Sequence, residues 1–198
     1  TVLYVNTHAE VKAMADCVCT SSNAGKIVAG MDSETVIFGP DANLGYYVEG
    51  MTGKKLVYAP EAGFCPTHHQ IDLADVEKAR DKHPNAVFAV HPEAKPEVQD
   101  EGDFVGSTTQ IINFCAESRG NEFIIGTENG IIHRLEKETR GKKFYPVSPL
   151  TVCPTMKNIT LQKVHESLRD FKHEVEVPAE IADKARTAIE CMIKLSDE

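Results

Sequence analysis

No stretch of about 18 apolar residues occurs in this sequence, and no secretory leader opens it. A bilayer-spanning helix and an export signal are not expected, and the cytoplasm is the default location. No cluster of Lys and Arg occurs either, and the net charge is −9. Nucleic acid is therefore a poor partner, because neutralising a polyanion takes a basic surface. No G-x-G-x-x-G follows any strand-like run, which disfavours a nucleotide-sugar enzyme of two dinucleotide-type halves. No C-x-x-C is present, so cysteine spacing alone names no metal. Low-complexity tracts are absent. So is an initiating methionine: the chain starts at Thr1 on an apolar run, which reads as the start of a fragment.

What remains is a sequence of ordinary globular composition. Its 198 residues are 41% hydrophobic and 26% charged, enough for one domain or two small ones with a respectable core. Six cysteines in an acidic chain of this kind read as thiols or metal ligands rather than disulfides. Two of them begin the same short motif. Cys65-Pro66-Thr67 returns 88 positions later as Cys153-Pro154-Thr155. Ile71, Leu73 and Val76 are answered by Ile159, Leu161 and Val164, and Gly53-Lys54-Lys55 by Gly141-Lys142-Lys143.

Short apolar runs and amphipathic segments alternate around this repeat. Strands are expected over 2–6, 17–19, 35–38 and 55–59, with helices over about 9–15, 24–29, 43–51 and 72–83. The programme then recurs. Strands fall over 86–90, 103–105, 122–125 and 143–145, with helices from 107 through Cys115, over 130–138 and from Thr160 onward. Two units of about 86 residues, each built this way, imply two similar αβα domains with four-stranded parallel sheets. Residues 1–82 form the first, residues 83–172 the second, and residues 173–198 a C-terminal extension. Its helix begins at Pro178 and carries a core-packing stripe of Ile181, Ala185, Ala188, Ile189, Met192 and Ile193.

Open parallel sheets bind ligands beyond the carboxyl ends of their strands. Those ends carry Tyr4 and Asn6, Thr20 to Asn23, Gly39 to Asn43 and Cys65 in the first unit. In the second they carry His91 and Glu93, Ser107 to Thr109, Thr127 to Asn129 and Cys153. A cysteine after a strand is often only a small buried residue. Recurrence with Pro and Thr instead suggests one thiolate per repeat, held towards a rotational centre, where soft ligands suit zinc or iron–sulfur. Ser21, Ser107 and Thr108 read equally as helix caps and as anion-binding groups at helix N-termini. His91-Pro92-Glu93 is the acid/base candidate, although an exposed His–Glu pair is commonly surface decoration. His68 and His69 flank Cys65, either as supporting donors or as solvated side chains. Cys17, Cys19, Cys115 and Cys191 have no counterparts and read as packing residues.

Tyr4-Val5-Asn6, Thr20-Ser21-Ser22-Asn23-Ala24, Ile37-Phe38-Gly39-Pro40-Asp41 with Asn43-Leu44, Gly63-Phe64-Cys65-Pro66, His91-Pro92-Glu93, Gly106-Ser107-Thr108 and Cys153 with Met156-Lys157 together resemble the quinolinate synthase family. The resemblance runs along essentially the whole chain. It implies three α/β domains around a pseudo-threefold axis, with a [4Fe–4S] cluster held at the centre by one cysteine from each. It implies condensation of iminoaspartate with dihydroxyacetone phosphate to quinolinate, the precursor of NAD, coupled to an L-aspartate oxidase or dehydrogenase. Carried over residue by residue, Cys65 and Cys153 are cluster ligands. Tyr4, Val5, Asn6, Ser21, His91, Pro92, Glu93 and Thr108 contact substrate, with Tyr4, His91 and Glu93 in catalytic roles. The family's first domain has no counterpart in these residues. The last helix is expected to pack towards it, and this chain alone is expected to be inactive. A non-enzymatic two-domain module binding an anionic metabolite is the rival reading.

Overall fold

The chain is described by a computed structural model covering residues 1–197. Its first half runs β1 (Val2–Tyr4), α1 (Ala9–Lys12), β2 (Cys17–Cys19), α2 (Ala24–Ala29), β3 (Thr35–Gly39), α3 (Ala42–Thr52) and β4 (Lys55–Tyr58), then α4 (Pro66–His69) and α5 (Leu73–Lys82). The second half repeats this as β5 (Val87–Val90), α6 (Pro96–Asp100), β6 (Phe104–Val105), α7 (Thr108–Glu117), β7 (Glu122–Gly126), α8 (Ile131–Glu138), β8 (Lys143–Pro146), α9 (Pro154–Lys157) and α10 (Leu161–Asp170). A final helix, α11, spans Ala179–Asp197. The sheets are ordered β2-β1-β3-β4 and β6-β5-β7-β8, and every pairing is parallel. The two αβα units expected from the sequence are present. Helix α6 and the single turns α4 and α9 are additions to the elements read from sequence.

The second sheet is buried on both faces along β5 and β7, as a parallel sheet covered by helices requires, whereas Ile37 of β3 and Val57 of β4 stay 46% exposed on the first. Val2, Cys19, Val36 and Phe38 lie in the first core, with Ile27 and Leu44 from the covering helices. Phe88, Ile124, Phe123 and Ile125 divide between two clusters on the faces of the second sheet. Caps fix the helix starts. Asp41 accepts from the Leu44 N–H at 2.9 Å to open α3, and Ser107 with Gln110 closes a reciprocal box on α7. Gly39 and Gly63 allow a close backbone approach beside the cleft: a Cβ on Gly63 would stand 1.8 Å from the Pro40 carbonyl oxygen.

Helix α5 belongs to the first repeat by sequence, yet it buries Val76 and Ala79 in the core of the second sheet. Its counterpart α10 has no such cover. Leu161, Leu168 and Phe171 are 86%, 74% and 87% exposed. The last helix does find a surface within the chain: Cys191, Met192 and Leu195 pack against the first core beside β2, while Ile193 stays exposed.

The units are joined by a buried amide clasp. Asn43 Nδ2 donates to the Glu93 carbonyl at 3.0 Å. Gln99 Nε2 lies 3.0, 2.9 and 2.8 Å from the carbonyl oxygens of Asn43, Pro92 and Ala94. Both side chains are inaccessible to solvent, so their polar atoms depend on these partners. Gln99→Leu keeps the volume but leaves those carbonyls short of a donor. We expect it to lower unfolding free energy by about 1–3 kcal/mol in urea titrations, while an exposed change such as Glu97→Gln leaves the midpoint unmoved.

Candidate active site between the repeats

Strand pairing puts the two repeats in exact register at their carboxyl edges. Leu3 pairs with Val18 and Gly39 in the first sheet, as Val90 pairs with Val105 and Gly126 in the second. Counting from these anchors, Tyr4 corresponds to His91, Asn6 to Glu93, Ser21 to Thr108 and Asp41 to Glu128. The suspected substrate residues are thus equivalent pairs on equivalent edges.

Those edges face one another. Tyr4 and Glu93 line the same cavity from opposite sides of the seam, and Ser21 stands close to the Tyr4 hydroxyl. His68 Nδ1 lies 2.9 Å from Glu93 Oε2 and 3.2 Å from Cys65 Sγ. Its Nε2 lies 2.8 Å from the Thr127 hydroxyl of the opposite unit. The His68 and His91 rings stack with centroids 4.4 Å apart. A cavity of about 330 Å³ opens beside this group, lined by Tyr4, Asn6, Pro40, Asp41, Gly63, Phe64, Cys65 and Glu93. Its size falls in the range of small-molecule sites.

The thiol loops also meet. Cys65 and Cys153 each precede a one-turn helix with Pro at its start; Gln70 Nε2, just past the first of these turns, donates to the Leu150 carbonyl at 3.1 Å, and Thr67 lies close to the Cys153 thiol. Each loop is held by a carboxylate of its own unit: Cys65 N–H donates to Asp41 Oδ2 at 2.8 Å, and Cys153 N–H to Glu128 Oε1 at 3.4 Å. Both thiols are half-buried, whereas Cys17, Cys19 and Cys115 lie in cores and Cys191 packs against one. A soft, multi-thiolate group fits these donors in kind. Two equivalent thiols converge on one seam, and the Met156 and Thr155 N–H groups lower the Cys153 pKa in favour of the thiolate.

Electrostatics separates the acid/base candidates. Burial disfavours charge on both His68 and Glu93, but their mutual contact outweighs it. The Cys65 sulfur, 3.2 Å from His68 Nδ1, raises His68 further, and Tyr4 close by helps to hold Glu93 down. His68 rises to about 9 and Glu93 falls to about 2, an imidazolium–carboxylate pair. Burial, with His68 stacked alongside, drives His91 down to about 3. It is neutral, and its Nδ1 accepts from the Glu93 N–H at 3.3 Å, leaving the ring proton on Nε2. Burial and the Glu93 charge push Tyr4 up, so it stays a phenol.

Several expectations change in detail. His91 and Glu93 are 4% and 5% exposed, so they are not surface decoration. His68 is buried and central rather than solvated, and His69 serves packing, stacked on Phe64 at 4.0 Å. Ser107 is occupied as a helix cap, and Thr108 stands exposed at the first turn of α7. Asn6 lines the cavity, Val5 packs on the first core, and buried Pro92 gives its carbonyl to Gln99. Sequence reading placed Asp41 and Thr127 on the ligand-binding edges without giving either a role, and missed Thr67, whose only signal was adjacency to Cys65.

Fold and site together define a duplicated parallel α/β protein with a thiol-, imidazole- and carboxylate-lined cleft between its repeats. Comparison with known proteins narrows the class. The family model described as quinolinate synthetase A protein (NadA) matches residues 1–194, and the chain belongs to that family. Quinolinate synthases of Thermococcus kodakarensis, Pyrococcus furiosus and Alkaliphilus metalliredigens are similar to it, at 51% identity over 195 residues, 49% over 195 and 47% over 194. Each alignment covers 98% of this chain and 64% of the relative, so the chain spans just under two thirds of their length.

The depressed His91 value sets a pH dependence. Its contribution to stability is fully present above the unfolded value near 6.5 and is lost as pH falls towards about 3. His68 works in the opposite direction: its contribution is full below about 6.5 and is lost as pH rises through about 9. His91→Gln should therefore lose less stability than the parent between pH 6.5 and pH 4 in urea unfolding. Parallel losses in the two proteins would refute the neutral assignment.

Proposed function

We propose that this chain supplies the second and third repeats of a quinolinate synthase. That enzyme is a cytoplasmic transferase of NAD biosynthesis, condensing iminoaspartate with dihydroxyacetone phosphate to quinolinate. An L-aspartate oxidase or dehydrogenase would be the source of its iminoaspartate. The observation that carries this reading is the meeting of the Cys65 and Cys153 loops at the seam, where Gln70 bonds the Leu150 carbonyl, beside the Glu93–His68 pair. The family match supports it. In this reading Cys65 and Cys153 are two of three thiolate ligands of a [4Fe–4S] cluster, the third lying outside these residues. When bound, the cluster supplies a Lewis-acidic iron for a substrate oxygen.

The chain's own residues bind and move protons. Glu93, held ionised, accepts a proton from substrate carbon or nitrogen, and the His68 imidazolium balances its charge. Neutral His91 offers its Nε2 proton as a hydrogen bond. Tyr4, kept phenolic, donates to a developing oxyanion. Asn6 and Ser21 orient polar groups, with Thr108 on the equivalent edge and Val5 and Pro92 shaping the walls. Residues 1–82 and 83–172 are the repeats. The uncovered face of α10 is where a further repeat would dock, as α5 does on the second sheet, and α11 would approach the same unit.

In a protein as long as its relatives, Cys65→Ala and Cys153→Ala should each strip the bound iron, measured by iron and sulfide content. Glu93→Gln should keep the iron and lower kcat by about 10²-fold or more. The present chain by itself should neither retain four irons nor form quinolinate after anaerobic reconstitution. A plain anion-binding module would instead keep its affinity through both cysteine changes.

A further inference from the structure

Away from the cleft, two thiols with no part in the chemistry above lie side by side. Cys17 belongs to β2, the edge strand of the first sheet, and is inaccessible to solvent. Cys191 stands on α11, which packs on that strand, and its thiol lies against the Cys17 thiol. Met192 and Leu195 pack on the same core and hold the helix in place. We propose that Cys17 and Cys191 form a dithiol which a small disulfide, such as glutathione disulfide, oxidises to an internal bond fastening α11 to the first sheet.

Access and order of reaction follow from burial. A cavity of about 510 Å³ opens beside α11, with Asp32, Glu190, Cys191 and Lys194 among its lining residues. It admits a polar oxidant to Cys191, and side chains of both signs suit the amine and carboxylates of glutathione. Burial, with Cys191 alongside, pushes the Cys17 thiol up to about 12, so Cys191 attacks first. The Cys191 thiolate attacks one sulfur of glutathione disulfide, that S–S bond breaks, and one glutathione leaves. Cys17 then gives up its proton and attacks the Cys191 sulfur of the mixed disulfide, releasing the second glutathione. The two cysteines lose two protons and two electrons in all, and glutathione disulfide is reduced to two thiols.

Polar contacts already tie the same helix to the first repeat. Asn23 Nδ2 donates to Ser196 Oγ at 3.0 Å, and Lys26 Nζ to the Ser196 carbonyl at 2.7 Å. Asn23 Oδ1 in turn accepts from the Thr20 N–H at 2.7 Å, closing the turn that carries Ser21. A bond from β2 to α11 therefore stiffens a helix whose end holds part of the ligand-binding edge. In a reducing compartment such a bond is transient, forming under oxidative load and reversed by thiols. It leaves Cys65 and Cys153 free and spares the outer side of α11, where Ile193 is exposed. It thus competes neither with the cluster reading nor with docking of a further repeat.

The test incubates the reduced 198-residue chain with glutathione disulfide, blocks remaining thiols with iodoacetamide and digests with trypsin. Mass spectrometry should find the peptides Ala13–Lys26 and Thr187–Lys194 joined, and dithiothreitol should separate them. Cys19→Ser, in the first of these peptides, should keep the link. Cys191→Ser should abolish it, and Cys17→Ser should instead retain glutathione on Cys191. Amide exchange along α11 should slow by at least about 10-fold on oxidation of the parent, and not on oxidation of Cys191→Ser. A parent that keeps glutathione on Cys191 without displacement by Cys17 overturns the proposal. So does a link made through Cys19, or α11 exchange that oxidation leaves unchanged. Circular dichroism checks the fold of each variant, and where a serine variant fails to fold the parent's own peptide map decides.

Discussion

A carboxylate from one repeat and an imidazole from the other meet 2.9 Å apart where solvent barely reaches. Isolated, either charge would be expelled from such a place or neutralised. Together they persist because both imidazole nitrogens have further partners, Cys65 at Nδ1 and Thr127 at Nε2, and Tyr4 lies beside the carboxylate. The pair therefore requires the two units to sit as they do. Removing either partner by mutation would leave the other charge buried and unpaired, a loss of order 3–5 kcal/mol. The Asn43–Gln99 clasp is the uncharged part of the same constraint, tying the backbone that carries Glu93 to the start of α3. Rigidity of the seam and chemistry of the cleft thus come from the same few residues.

Duplication explains how the site was assembled but also why it is not symmetric. Both edges present a polar residue one and three positions past the anchored strand pair, and both tie the thiol loop to a carboxylate after the third strand. What differs is burial around that carboxylate. Asp41 is raised to about 6, chiefly by burial, with Glu93 nearby adding to the rise. Glu128 is held below its ordinary value because Lys157 sits 2.9 Å away, overcoming a smaller degree of burial. The first repeat's carboxylate and loop line the cavity, while the second repeat's carboxylate is neutralised by Lys157.

Much of this was legible in the sequence, for a physical reason. Parallel strands buried on both faces write themselves as short continuous apolar runs, and a duplicated unit writes itself twice. The sheets, most helices and the equivalence of Cys65 with Cys153 followed from local pattern. Burial of His68 did not. Cys-Pro-Thr-His-His reads as an exposed polar turn, and only a partner some 25 residues further along the chain, Glu93, turns it into a charged pair in the interior. Helix α6 was missed because it is five residues long and carries two acidic side chains, with its buried side limited to Val98 and Gln99. The crossing of α5 onto the neighbouring sheet was illegible for a third reason: an amphipathic stripe states that a helix covers something, never what it covers.

That last point bears on α10. Helices α5 and α10 occupy the same place in successive repeats and carry the matched residues Leu73 and Leu161, Val76 and Val164. In α5, Val76 is fully buried against the following sheet; in α10, Val164 is exposed and Leu161 more so. One sequence pattern thus has two fates, and the difference is the presence of a next sheet. Intrinsic propensity cannot account for it, since the stripe is if anything stronger in α10. Covering the sheet that follows is what α5 does here, and its crossing brings the Cys65 loop, just ahead of that helix, to the boundary between units rather than to an outer face.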